Sequence, residues 1–306
     1  MKTLVTALLC LFAITSPANA FELQVKKVAD NIYAIVGEMA NRSPENLGNN
    51  ATFGLVVTRE GAVLVDPGGS YLGAEQLAAT IKTITDRPVK IVINSGGQDH
   101  RWLGNGYFKE RGARLIASAA AVEDHHERGN EQLQGLEFLI GKENLDGTET
   151  VYAEEIFEET LSLDFGGVRF ELIATGGAHT PGDAVIWLPK QKVAFTGDLV
   201  YLERMLGVGS MSDFKNWISA FEAMAALKPD HIIPGHGNPS TLEQATKETY
   251  DYLVNLNTRI SQVLENDGEI ADGIAVDQEA FKFLLNFEQL ARRNAQEVFQ
   301  QLEFDF

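Results

Sequence analysis

Cysteine is almost missing from this 306-residue chain: Cys10 is the only one. It falls in a stretch that reads as a leader to be removed. Lys2 gives a short positive start, Leu4 to Ile14 is apolar, and Ala18-Asn19-Ala20 is a small-x-small cleavage site before Phe21. Cut after Ala20, the chain has no thiol, which excludes disulfides, a cysteine nucleophile and a thiolate ligand. Any metal must then be held by His, Asp, Glu or water. Long apolar runs are scarce too. The leader is shorter than the roughly 20 apolar residues that span a bilayer, and no later segment is long enough. A membrane anchor is therefore not expected, and the chain reads as exported, in the periplasm or secreted.

Positive charge is the third scarcity, with 25 Lys and Arg against 43 Asp and Glu. Loss of Lys2 with the leader leaves 24 basic against 43 acidic residues, a net charge of about −19. Nucleic acid and anionic lipid need clustered Lys and Arg, so neither is an expected partner. A small-molecule substrate or an anionic ligand remains; nothing in the sequence points to a protein partner.

What is present is an α/β pattern. Strands are predicted at Phe21 to Val28, Ile32 to Val36, Phe53 to Thr58, Ala62 to Asp66 and Val89 to Asn94, with a helix from Leu72 to Asp86 forming a right-handed crossover. Helices follow at Arg101 to Arg111 and Ala117 to Ile140, then a charged linker at Lys142 to Thr150. Strands return at Val168 to Ile173, Ala184 to Leu188, Val193 to Phe195 and His231 to Pro234, with a helix at Lys215 to Leu227. Beyond Thr241 the chain is almost all helix. This order predicts a four-layer αββα sandwich over residues 21–240, two sheets face to face with helices outside, and a helical C-terminal segment, residues 241–306, packed on it.

Three turns after predicted strands carry chemistry: Ala178-His179-Thr180-Pro181-Gly182-Asp183, Phe195-Thr196-Gly197-Asp198 and Ile233-Pro234-Gly235-His236-Gly237. Imidazole and carboxylate suit a borderline metal such as zinc, and residues this far apart in sequence are what a fold must gather to build a site. Each turn alone has a plainer reading, a His or Asp that caps its own backbone. His125 and His126, in Glu123-Asp124-His125-His126-Glu127, read as a solvated helix face, and His231 as structural. Tyr201-Leu202-Glu203-Arg204-Met205 reads either as facing substrate or as packing on the Lys215 helix.

Together with Val65-Asp66-Pro67-Gly68, these turns resemble the metallo-β-lactamase superfamily, most closely its exported branch related to sulfur-oxidation and quinoprotein-associated hydrolases. The resemblance spans roughly residues 25–260. It implies that His179, Asp198 and His236 bind metal and that Asp66 supports the site from behind. The family's early His-x-His-x-Asp-His motif is broken here, at Asn94-Ser95-Gly96-Gly97-Gln98-Asp99-His100-Arg101. A gap-free register on Trp102-Leu103-Gly104-Asn105 puts Gly96 and Gln98 at the first two histidines, His100 at the aspartate and Arg101 at the third histidine. A register that keeps Asp99-His100 puts Ser95 and Gly97 there instead. In both, the paired histidines of one metal position are missing.

The expectation is one zinc ion or none. With one, His179, Asp198 and His236 hold it, His100 adds a fourth ligand, and Asp99 or His100 acts on the attacking water in hydrolysis of an ester, thioester, lactone or amide. With none, Arg101 pairs with Asp198 in place of the cation, and the cleft binds an anion without hydrolysis. Gln98 and Arg101 are the expected substrate contacts.

Overall fold

The computed structural model describes residues 21–305. The leader read at residues 1–20, with Cys10 and the cut after Ala20, lies outside them. Among the described residues no helix is long and apolar enough to cross a membrane.

Seven strands form the first sheet in sequence order: β1 Gln24–Ala29, β2 Ile32–Val36, β3 Thr52–Thr58, β4 Gly61–Val65, β5 Val89–Ile93, β6 Arg114–Ser118 and β7 Glu155–Phe157. β1 to β4 pair antiparallel; β4 to β7 pair parallel. Arg59 and Glu60 turn the β3–β4 hairpin, where Thr58 faces Gly61. The parallel half needs crossovers, supplied by α1 Tyr71–Ile84, α2 Asn105–Glu110 and α3 Ala119–Ile140. The second sheet runs β12 His231–Ile233, β11 Val193–Phe195, β10 Ala184–Leu188, β9 Val168–Ala174, β8 Thr160–Phe165, with only β11–β12 parallel. α4 Phe214–Ala226 precedes β12, and after it come α5 Leu242–Ala245, a π-turn at Thr246–Tyr250, α6 Asp251–Glu265, α7 Ile270–Ile274 and α8 Phe287–Leu302.

Alternation along the strands explains the layering. Val63 and Val65 of β4 join Ile91, Ile93, Phe170, Ile186, Phe195 and Ile233 between the sheets. Leu64 and Val92, pointing the other way, pack with Ala74, Leu77, Phe108 and Leu115 under α1 and α2. On the second sheet, Val185, Trp187 and Ala194 face Trp217, Phe221, Leu253, Leu256 and Val298 from α4, α6 and α8. Strands covered on both faces must be apolar at every position, as the continuous runs in β4 and β10 are. Each such side chain contributes about 1.5–3 kcal/mol when fully buried. The result is the four-layer αββα sandwich, and the C-terminal helices share the second sheet's outer core.

Two local readings differ from the structure. The stretch Arg114–Ser118, partly read as the start of a helix, is β6, and the helix starts one residue later. Ser118 caps it, its side chain accepting from the Ala121 N–H. β7 and β8, in residues 151–167 for which the sequence pattern assigned no element, complete the edges of the two sheets.

Candidate metal centre

Five turns meet at one edge of the sandwich. Asp66 follows β4, residues 94–101 follow β5, residues 178–183 join β9 to β10, Asp198 follows β11 and His236 follows β12. Asp66 sits in the left-handed region at φ 66°, a conformation that Asp tolerates and that turns its carboxylate inward. There it accepts from the Ser95 backbone N–H and hydroxyl, both at 2.7 Å.

Arg101 is wholly buried under this edge, and its five N–H donors are all spent on the protein. Nε and Nη2 donate to the two Asp198 carboxylate oxygens at 3.1 and 2.7 Å, a bidentate pair. Nη1 donates to Asp66 Oδ2 at 2.8 Å and to the Thr52 carbonyl at 3.2 Å. Nη2 also reaches the Gly235 carbonyl at 2.8 Å. Burial would lower the guanidinium's pKa, but Asp198 and Asp66 raise it instead, so the charge is permanent. Arg101 was expected to touch a ligand; the structure gives it no donor to spare and makes it the floor beneath Asp198.

Above that floor, His100, Asp198 and His236 offer one ligand atom each, all within 4.8 Å of one another. His100 Nε2 is 3.3 Å from Asp198 Oδ2, and His236 Nε2 is 3.2 Å from Oδ1. Burial pushes the Asp198 carboxyl up, but Arg101 and then His100 outweigh it and hold the group ionised, well below the usual range. His236 Nδ1 stands 2.8 Å from the Asn50 carbonyl, which requires its proton there. A neutral imidazole then has only a lone pair at Nε2, aimed at a carboxylate oxygen. Burial, followed by the Arg204 charge, depresses the His236 pKa well below normal, so a second proton does not fill the gap. Two electron-rich atoms facing each other at 3.2 Å fit a cation between them, and two imidazoles with one carboxylate are a donor set suited to zinc.

His100 is steered from behind. Its Nδ1 lies 3.0 Å from Asp99 Oδ1 and 2.8 Å from Arg42 Nη2. A proton at Nδ1 toward Asp99 would leave Nε2 free to ligate, as in a carboxylate–histidine–metal triad, whereas Arg42 Nη2, a donor only, competes for the same nitrogen. Asp99 also pairs with Arg42. Burial works to raise its pKa, yet Arg42 and His100 hold it below the carboxylate range, which leaves Asp99 a weak base. It stands behind His100 and does not line the cleft.

His179 lies outside this trio. Its Nδ1 donates to the Gly207 carbonyl at 3.0 Å, and Nε2 is 3.1 Å from the Gln98 side-chain amide. Burial first, then His100 and Arg101, lower its pKa, so the ring is neutral. The neighbouring loop is packed solid where a first metal position would lie. A Cβ on Gly96 would collide with the Asp183 carboxylate, and one on Gly97 with Asp124. Thr180 Oγ1 accepts from the Gly97 N–H at 2.9 Å, Gln132 donates to the Gly97 carbonyl at 2.8 Å, and His125 Nε2–H donates to the Gly96 carbonyl at 3.1 Å. His125 is thus no solvated residue. It is fully buried, stacked on Trp102 at 4.3 Å, and burial lowers its pKa to about 3. His126, its neighbour, is exposed and stacks on Tyr152. His231 is exposed at the start of β12.

The trio opens into a cleft of about 360 Å³. Gln98, His100, His179 and His236 line it, with Tyr201 stacked on His236 at 4.6 Å. Arg42, Arg128, Arg204 and Arg293 line it as well. Of these the sequence signalled only Arg204, within the Tyr201–Met205 segment. Arg42 sits in irregular chain with no motif around it, and Arg293 comes from a helix far along the sequence.

Comparisons with known proteins follow the same lines. A metallo-beta-lactamase type 2 from Bacteroides fragilis is 19% identical over 247 residues, covering 78% of this chain and 90% of its own. A solved metallo-beta-lactamase from Pontibacter korlensis aligns with a TM-score of 0.62 at 22% identity, over 76% of this chain and 99% of that one. The stereoselective inverting sec-alkylsulfatase Pisa1 from Pseudomonas sp. aligns with a TM-score of 0.70 at 17% identity, over 91% of this chain and 50% of that one. These structural likenesses show the fold. The profile of the Metallo-beta-lactamase superfamily matches residues 48–236. With that match over most of its length, and with Asp66, His100, Asp198 and His236 gathered at one edge of the sandwich, the chain belongs to the metallo-β-lactamase superfamily.

Proposed function

We propose that this chain is an exported hydrolase that holds a single zinc ion on His100, Asp198 and His236 and cuts an ester, thioester, lactone or amide in a small molecule. The observation that carries the reading is the His236 Nε2 lone pair facing Asp198 Oδ1 at 3.2 Å with its other nitrogen committed to the Asn50 carbonyl. A divalent ion bound there would supply Lewis acidity toward a substrate oxygen and toward water. The chain's own residues set the rest. Asp99 fixes the orientation of His100, the Asn50 carbonyl fixes that of His236, and Arg101 keeps Asp198 ionised and immobile. His179, neutral and on the cleft wall, is available to take or return a proton, and Gln98 beside it is available to donate to a substrate carbonyl. Relatives described as β-lactamases and an alkylsulfatase support a small-molecule hydrolysis. The collisions awaiting any side chain at Gly96 or Gly97 favour one metal over two.

The rival reading, a metal-free anion binder using Arg101, loses its contact group, because every N–H of Arg101 is already bonded inside the protein. Metal content decides between them. The purified protein should carry about one zinc per chain, and His236→Ala, which leaves the Arg101–Asp198 pair intact, should carry none while remaining folded. Absence of metal from the native chain after incubation with zinc would end the hydrolase reading. N-terminal sequencing of the mature protein, starting at Phe21, checks export.

A further inference from the structure

A sheet edge leaves backbone groups unpaired, and folded chains cover such edges or make them poor templates for another strand. β1, β7 and β12 are treated in that way. β1 carries Lys26 and Lys27 and a register break between Lys27 and Ala29. β7 is three residues long. β12 is equally short, and Ser240 takes its free side, exchanging both backbone hydrogen bonds with Ile232 at 2.8 and 2.9 Å.

β8, the remaining edge, has none of these protections. Thr160–Phe165 holds no Lys and no Pro, and it pairs with β9 over its whole length without a bulge. Its one charge, Asp164, is matched within the hairpin by Arg169 at 2.6 Å. The tight turn at Gly166 and Gly167, with φ 56° and 88°, fixes which way each residue points. Phe165 and Val168 close that turn, and further along the Glu159 carbonyl accepts from the Ala174 N–H at 2.9 Å. Odd-numbered residues therefore bond to β9. The N–H and C=O of Thr160, Ser162 and Asp164 point outward, and no described residue bonds to them.

We propose that β8 is the contact strand of a homodimer. It pairs antiparallel with β8 of a second copy about a two-fold axis at Ser162, which joins the two five-stranded sheets into one. In that register every outward residue of the strand meets another: Thr160 faces Asp164 of the other copy, and Ser162 faces its own counterpart. Hydroxyls meet a hydroxyl or a carboxylate, and no like charges are opposed. Leu161 meets Leu163 of the other copy, extending the apolar layer between the sheets. The ends match in charge as well. Glu158 falls opposite Gly166 of the other copy, where exposed Arg59 donates from Nε to the Gly166 carbonyl at 3.2 Å. Setting Glu158 beside Arg59 offsets part of the repulsion between two acidic copies. Ile156, 50% exposed on β7 and joined to β8 through Glu158 and Glu159 alone, adds apolar surface beside the same edge.

The test is sedimentation velocity of the mature chain over about 1–100 μM, a range suited to an interface below standard size. The native chain should pass from monomer to dimer across it. Ser162→Pro removes an outward N–H and no bond to β9, so it should stay monomeric throughout and keep the native Tm at the dilute end. Ser162→Lys and Ser162→Glu probe the register, and they serve also if the proline variant does not fold. Each alone should be monomeric, because the new charge meets itself across the axis, and an equimolar mixture of the two should dimerise. A native chain that stays monomeric overturns the proposal, whatever other strand the edge accepts. So does a dimer that survives Ser162→Pro, or a mixture that associates no better than its components.

Discussion

At the scale of single residues, Arg101 settles how two buried carboxylates coexist with neutral histidines. Its fork grips Asp198 from below while Nη1 takes Asp66, so the metal-facing side of Asp198 is left to His100 and His236. Arg101→Lys keeps the charge and loses the fork. It should cost about 3 kcal/mol, read in thermal unfolding as a fall in Tm of roughly 5 °C for a chain of this size. Asp183 gives a pH signature. Burial, with Asp198's charge added and the Thr180 hydrogen bonds opposing, raises its pKa from 3.8 to about 7. Between those values the folded chain holds a proton the unfolded chain has released, so this group's contribution to stability falls as pH rises through that window and levels off above it. The full swing is roughly 4 kcal/mol. Asp183→Asn should flatten the fall, measured as urea midpoints at pH 5 and pH 8. Asp66, Asp198 and His236 were legible in sequence because each belongs to a turn whose local residues identify it. The bonding of Arg101 and the burial of His125 were not, because they depend on what packs across from them. Glu123, Asp124 and Glu127 made His125 look solvated, yet Asp124 is itself buried against Arg128.

At the scale of elements, α8 governs the cleft although it lies beyond the residues matched by the family profile. Asn294, fully buried, donates to the Leu206 carbonyl at 2.8 Å and accepts from the Val208 N–H at 2.9 Å. Gln301 donates to the Gly209 carbonyl at 3.2 Å and accepts from the Phe214 N–H. These side chains pin the loop whose Gly207 carbonyl receives His179. Asn294→Ala should destabilise by about 1–3 kcal/mol and speed amide hydrogen exchange at Leu206 to Gly209, while zinc content holds. No sequence pattern marks that duty, since Asn294 sits in a helix whose apolar stripe already accounts for its neighbours. The misread β6 has a similar cause. Arg114-Leu115-Ile116-Ala117-Ser118 is too short for its periodicity to separate strand from helix, and α3 begins directly after it. Longer or turn-bounded elements, such as α1, α4 and the β3–β4 hairpin, were legible to within a residue or two.

At the scale of the whole molecule, the candidate metal centre joins the two sheets: His100 follows a strand of the first, Asp198 and His236 follow strands of the second. An ion bound there acts on the native fold alone, so zinc at a hundredfold excess over its Kd should add about 2.7 kcal/mol, and a chelator should remove it, both visible as Tm shifts. His236→Ala should show no such shift. The position of α8 has one more consequence, in the order of synthesis. Every residue proposed as a ligand precedes α8 in the chain, yet the loop that faces them takes part of its anchoring from that helix, through Asn294 and Gln301. The wall of the cleft opposite the trio is therefore complete only when the last helix of the chain docks.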